Sequence, residues 1–204
     1  TQLRNVTADD YLVRALSMPS TYGTIAKALT QKPAANDPDT TLDLYVLSYN
    51  INKNLTKPSN TLKSNLQTYI NQYRMIGDTI NIKDAFIINI CCNFEVVTLP
   101  YYNNSDVITR CITALQDYFN IDNWQINQPI IKTEVMNVIG SVTGVQNVVG
   151  VDFINVFDTN LGYSGNSYDF ASATKQGIIY PPLDPAIFEV KYPNQDIKGK
   201  VVNF

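Results

Sequence analysis

The chain has 204 residues, 45% of them hydrophobic and 16% charged, which is enough to bury one sizeable core or two small ones and too apolar for wholesale disorder. Lys and Arg number 15 against 18 Asp and Glu, a formal charge of -3, so the positive field that non-specific nucleic-acid binding needs is missing. There is no histidine. That removes Ser/His/Asp and Cys/His nucleophile activation, the helical zinc-protease motif and His-ligated metals, and leaves carboxylate, lysine or tyrosine chemistry.

In chain order, Thr7 is placed to cap a helix whose first turn carries Asp9 and Asp10, followed by an apolar stripe of Tyr11, Leu12, Ala15 and Leu16 that Pro19 stops. Residues 23–31 suit either a helix or a strand, and a strand is preferred. With the Pro-rich connector 32–40 and the alternating run Leu42 to Tyr49, it makes a hairpin. Leu62, Leu66, Tyr69, Tyr73 and Ile76 recur at helical spacing, with Gly77 expected as a left-handed helix cap and Ile80 and Ile82 in a short extended segment beyond it. Phe86, Ile88, Ile90, Cys92, Phe94 and Val96 then alternate with Asn89, Asn93 and Glu95, the pattern of a strand with one buried and one polar face.

Ser105 and Asp106 open a helix with Ile108, Ile112, Leu115 and Phe119 on one side and Val107 and Cys111 beside them. Pro129 suits the first turn of a further helix carrying Ile131, Val135, Val138 and Ile139, which Gly140 stops. Residues 144–156 read as a return strand with a bulge or close approach at Gly150. Residues 158–175 are polar and glycine-containing, a long loop or mobile arm that would not hold a core. From 176 onward, Pro181, Pro182, Pro185 and Pro193 rule out a regular helix or a central strand. Ile178, Ile179, Ile187, Phe188, Val190, Tyr192 and Ile197 still need burial; short strands clipped onto another surface, one that could belong to a second chain, provide it.

These elements predict an α+β fold, a mixed or antiparallel sheet with helices packed on one face, plus an extended C-terminal arm. The expected modules are a helix plus hairpin over 1–55, an α+β sandwich over 56–157, and a loop with the arm over 158–204.

The close carboxylates, Asp9 with Asp10 and Asp37 with Asp39, are explained by a helix dipole and by a turn around Pro38; a carboxylate hydrolase is the weakest of the functional readings. Asp37 and Asp39 also lack the Gly and the terminal Glu of a calcium loop, so neither metal nor cofactor is expected. Gly162-Tyr163-Ser164-Gly165 lacks the Lys-Ser/Thr of a phosphate loop. Cys91, Cys92 and Cys111 form no disulfide pattern and fit buried packing in a reducing compartment, or in a virion assembled in one. No apolar run reaches the roughly 20 residues that cross a bilayer. Tyr101 with Tyr102 and Tyr163 with Tyr168 fit a protein interface better than a sugar platform, although a carbohydrate- or receptor-binding tail module is the alternative function. The chain starts at Thr1, as expected of part of a longer polypeptide or of one trimmed at its start.

The opening Arg4-Asn5-Val6-Thr7-Ala8-Asp9-Asp10-Tyr11 resembles the Arg-x-Val-Thr-x-x-Asp-Tyr opening of baseplate wedge proteins of T-even-type contractile-tailed phages and the broader baseplate J-like family. Later landmarks follow in the same order: the helix 62–74, Ile76-Gly77-Asp78-Thr79-Ile80, the alternating strand, Leu115-Gln116-Asp117-Tyr118-Phe119, and Val142-Thr143-Gly144-Val145. They cover roughly 1–156 and match the C-terminal part of such a protein, and residues 184–193 are similar to its tail. The resemblance implies a structural virion protein with no catalytic residues. It implies a homodimer or higher ring that assembles in the host cytoplasm with other wedge and hub proteins and couples host attachment to sheath contraction; the charge balance and the lack of a long apolar run lead to the expectation of neither nucleic acid nor membrane as a partner.

Overall fold

A computed structural model describes residues 4–33 and 40–202. The chain forms two compact units, Thr1–Phe86 and Ile87–Phe204. The boundary falls later than the first module boundary expected from sequence, because residues 56–86 complete the sheet of the first unit, and residues 158–204 belong to the same unit as 87–157.

In the first unit, α1 (Ala8–Leu16) starts at a capping box. Thr7 Oγ1 accepts from Asp10 N at 3.2 Å, and Asp10 Oδ2 accepts from Thr7 N at 2.8 Å and from Val6 N at 2.9 Å. The hairpin forms as expected, β1 (Lys27–Gln31) running antiparallel to β2 (Thr41–Tyr49). After β3 (Leu55–Thr56), which pairs with the end of β2, α2 (Asn60–Asn71) crosses over to β4 (Thr79–Asp84), and β4 lies parallel to β2. The core lies between helices and sheet, where Tyr11 and Ala15 of α1 and Leu66, Tyr69 and Ile70 of α2 meet Leu44, Val46 and Ile80. Because α2 ends at Asn71, Gly77 with φ 102° serves the turn into β4 rather than the helix, and Ile76 is fully exposed instead of extending the stripe. Asp37 and Asp39 lie outside the described residues.

In the second unit, β5 (Phe86–Thr98) is the organising strand. After α3 (Asn104–Tyr118), β6 (Ile130–Ile131) and α4 (Lys132–Gly140), the chain returns as β7 (Val145–Asn155), antiparallel to β5. The register slips between Glu95↔Gly150 and Val96↔Val148, which places the bulge beside the expected glycine. Ile88, Ile90, Cys92, Phe94 and Val96 are buried as the alternation predicts, while Phe86 at the strand start is exposed. On α3 the buried centre is Val107, Cys111 and Leu115, one residue round from the predicted stripe, so Ile108 and Ile112 sit on its flank. Pro129 precedes β6 rather than opening α4, and Gly140 is the last residue of α4.

The remaining elements are α5 (Phe170–Ala173), β8 (Thr174–Lys175), β9 (Ile178–Ile179), β10 (Ala186–Glu189), α6 (Pro193–Asp196) and β11 (Ile197–Val201). β6, β9 and β8 make a small antiparallel sheet. β10 and β11 join β5, and β11 runs parallel to Cys92–Val96 with Gly199 opposite Phe94. The fold is therefore α+β, built on open mixed and antiparallel sheets. Among the described residues, no helix is long and apolar enough to cross a membrane.

Candidate functional site

The seven residues expected to seek an outside surface are placed as follows. Ile179, Ile187, Phe188, Val190 and Ile197 are buried within their own unit, and Ile178 and Tyr192 are half-buried. The surface they need is supplied by the same chain: β6 receives Ile178 and Ile179, and β5 receives β10 and β11. What the sequence shows as an extended arm is woven into the sheet.

The polar segment 158–175 is likewise fixed, and its anchor is Asn89. The alternation of β5 assigns Asn89 to the solvent face, yet it is 0% exposed. Its Nδ2 donates to Glu189 Oε2 at 2.8 Å, its Oδ1 accepts from Ser164 N at 2.7 Å, and its carbonyl accepts from Val156 N and Asn155 Nδ2, both at 3.0 Å. Ser164 Oγ and Asn166 Nδ2 donate to the Ile87 carbonyl at 2.6 and 2.8 Å, and Tyr168 N donates to Asn155 Oδ1 at 2.8 Å. Tyr163 OH donates to Asp196 Oδ1 at 2.6 Å, while Tyr192 N donates to Asp196 Oδ2 at 2.8 Å. Burial, and then the Asp196 bond, pushes the Tyr163 phenol well above its ordinary value. Glu189 and Asp196 are 2% and 3% exposed, so two buried carboxylates are consumed in holding a strap against a sheet. Sequence reasoning missed this clasp; its one local signal is a cluster of Asn, Ser and Tyr in a segment too poor in aliphatics to dock by hydrophobic contact.

The tyrosines considered for sugar stacking do not make a flat platform. Tyr163 meets Tyr192 edge-on at 79°, Tyr168 meets Phe170 at 87°, and the Tyr168 hydroxyl donates to the Tyr180 carbonyl at 2.5 Å. Tyr102 lies over Gly144, where an added Cβ would come within 2.9 Å of its ring. Of the carboxylates, Asp9 is exposed on the first turn of α1, and the backbone N–H groups of Thr7 and Val6 hold Asp10 below the ordinary carboxylate range. The thiols are all free and buried; burial pushes Cys92 up to about 12, Cys111 up to about 11, and Cys91 upward. Among the described residues, no three His, Cys, Asp or Glu side chains are grouped to hold a metal ion.

What the surface does offer is a set of apolar side chains at the tips of built turns. Ile51, Ile76, Tyr101 and Leu183 are fully exposed. Asn50 Oδ1 accepts from the N–H groups of Asn52 at 2.9 Å and Asn54 at 3.0 Å, which fixes the tip that carries Ile51. Tyr101 is held at φ 73°, a conformation that an L side chain adopts at a cost, beside Leu99 and Tyr102, both also exposed. Such tips present large apolar side chains to solvent, a property of contact residues in assemblies. The signal in sequence is a single large apolar residue inside an Asn-, Gly- or Pro-rich turn.

No family model matches the chain, and no curated protein matches it. Its fold is similar, over 93% of its length, to a chain in the cryo-EM structure of the anti-feeding prophage baseplate, 6-fold symmetrised, with a TM-score of 0.63 and 11% sequence identity, and it spans 38% of the length of that chain.

Proposed function

We propose that this chain is a structural subunit of the baseplate of a contractile tail or injection device, working by contact rather than by turnover. The observation that carries the reading is the fold likeness to a baseplate chain over 93% of this chain. The finer reading is a wedge-type subunit within a ring around the tail axis, built into the particle in the host cytoplasm beside other wedge and hub proteins, and coupling attachment to contraction. The subunit contacts would be the exposed apolar tips at Ile51, Ile76, Tyr101 and Leu183, with half-buried Ile178 and Tyr192 as the available part of the C-terminal segment. The clasp on Asn89 supports a mechanical role, since it ties loop, sheet and terminus into one body.

Cryo-EM of tail particles carrying a tagged copy of the chain tests this. Added density in the baseplate, repeated around the axis, is expected, together with loss of complete baseplates when the chain is depleted. Normal, contracting particles that lack the chain would overturn the proposal.

A further inference from the structure

Within the opening motif, Thr7 and Asp10 make the capping box, and the Tyr11 hydroxyl donates to Asp78 Oδ2 at 2.7 Å. Arg4 has no such role. It is exposed, and it lines a pocket of about 240 Å³ together with Asn5, Asp10, Val13, Arg14 and Ser17. Two features of this pocket lack an internal explanation. Asn5 is 1% exposed, yet its Nδ2 donor has no partner among the described residues, a state that normally carries a penalty. Arg14 Cζ lies over the Tyr73 ring, 4.0 Å from its centroid, and its one hydrogen bond among the described residues is a long contact of 3.5 Å from Nε to Asn5 Oδ1. It forms no ion pair among the described residues.

We propose that this pocket binds a single carboxylate, supplied by an Asp or Glu side chain of a neighbouring polypeptide. The pocket is lined by two cationic side chains and one anion, Asp10, a net charge that balances one carboxylate and disfavours a doubly charged phosphate. The Tyr73 ring under Cζ holds the Arg14 guanidinium in the lining and leaves its terminal N–H donors unused among the described residues, and a guanidinium fork is the geometry that carboxylates accept in pairs. Asn5 lies in the same lining with a buried donor left over, and exposed Val13 gives the rim an apolar contact for the stem of an acidic side chain. The polypeptide nature of the partner rests on the assembly reading; the carboxylate specificity of the pocket does not.

The test is NMR on the full chain, following the Arg14 Nε–Hε signal during titration with N-acetyl-glutamic acid N-methylamide, the corresponding glutamine compound, and inorganic phosphate. A saturable shift in the millimolar range with the glutamate compound alone is expected. Arg14→Gln, followed through the Asn5 and Ser17 backbone amide signals because it removes the side-chain reporter, should weaken binding about tenfold or more, and Arg4→Gln, which removes no hydrogen bond or ion pair among the described residues, should weaken it severalfold. The backbone signals of Tyr69 and Ile70, buried in the core under α1, monitor folding in both variants. No shift, equal or tighter binding of phosphate, or unchanged affinity in a folded Arg4→Gln variant would overturn the proposal. Any of these results leaves the baseplate reading intact, whereas particles complete without the chain would defeat that reading and leave the pocket chemistry standing.

Discussion

Gly199 lies opposite Phe94 where β11 runs beside β5, and the ring of Phe94 occupies the volume a side chain would need. A Cβ added at Gly199 would lie 2.2 Å from Phe94 Cζ, 2.5 Å from Cε2 and 2.8 Å from Cε1. All three distances are far inside the roughly 3.5 Å at which carbon atoms begin to attract. Phe94 is among the largest fully buried side chains, so the ring cannot swing away into solvent. Gly199→Ala is therefore overpacking, and about 2–3 kcal/mol of destabilisation is expected. Phe94→Leu removes the ring atoms that collide and should cost about 1–2 kcal/mol alone. Combining the two should cost less than their sum by about 1–2 kcal/mol, because the Ala methyl fills part of the space the ring vacates. The assay is urea unfolding followed by the fluorescence of Trp124, the one tryptophan, which is buried in the second unit. At the urea sensitivity usual for small domains, Gly199→Ala should lower the midpoint by roughly 1 M. An unchanged midpoint, or strictly additive costs, would mean that β11 slides outward freely and that its seat on β5 is not specific.

Three further outcomes follow from the same geometry. Asn89→Leu removes the donor to Glu189 and the acceptor of Ser164 N, and should destabilise the second unit by about 3 kcal/mol or more while increasing amide exchange across residues 163–168, measured by hydrogen-exchange mass spectrometry. Deleting residues 184–204 removes β10 and β11, and should abolish the cooperative Trp124 transition rather than release a folded body with a missing arm; a preserved transition would contradict the weave described above. The thiols Cys92 and Cys111 hold their protons to about 12 and about 11 when folded but lose them near 9 when unfolded, so the stabilisation they carry is complete below pH 9 and is lost as pH rises toward those values. Urea midpoints at pH 8 and 10.5 should therefore differ less in Cys111→Ala than in the parent chain.

Local signals in the sequence are legible wherever the structure is locally determined. Thr7 and Asp10 are three residues apart, so their capping box depends on nothing distant, and the hairpin and the bulge beside Gly150 likewise follow from adjacent residues. The limits appear where burial depends on partners remote in the chain. Asn89 reads as a solvent-facing residue because period-two alternation reports chemistry and not coverage; a polar strap from residues 163–168 covers that face, and polar residues are what such a strap requires. Of the apolar residues after 176 that the sequence marks for burial, Ile179, Ile187, Phe188, Val190 and Ile197 are buried and Ile178 and Tyr192 half-buried; the prolines do exclude a long helix, yet Pro193 simply opens the four-residue α6. What is absent from the sequence is the address: β11 pairs with a strand roughly a hundred residues earlier, and no periodicity encodes that distance. Of the proposed contacts, Tyr101 is among the tyrosines that the sequence singles out, whereas Ile51, Ile76 and Leu183 are single apolar residues in turns, a signal too short for pattern analysis.

The late arrival of β11 sets a timetable for synthesis. A ribosome that has made β5 must add about a hundred more residues before β11, the parallel neighbour of its Cys92–Val96 stretch, exists. The second unit therefore closes only once β11 has been made, whereas the described strands of the first are all in hand by residue 84. During that interval β5, with its run of buried aliphatics, is the segment most open to wrong pairing, and a prematurely terminated product would carry that bare strand with it.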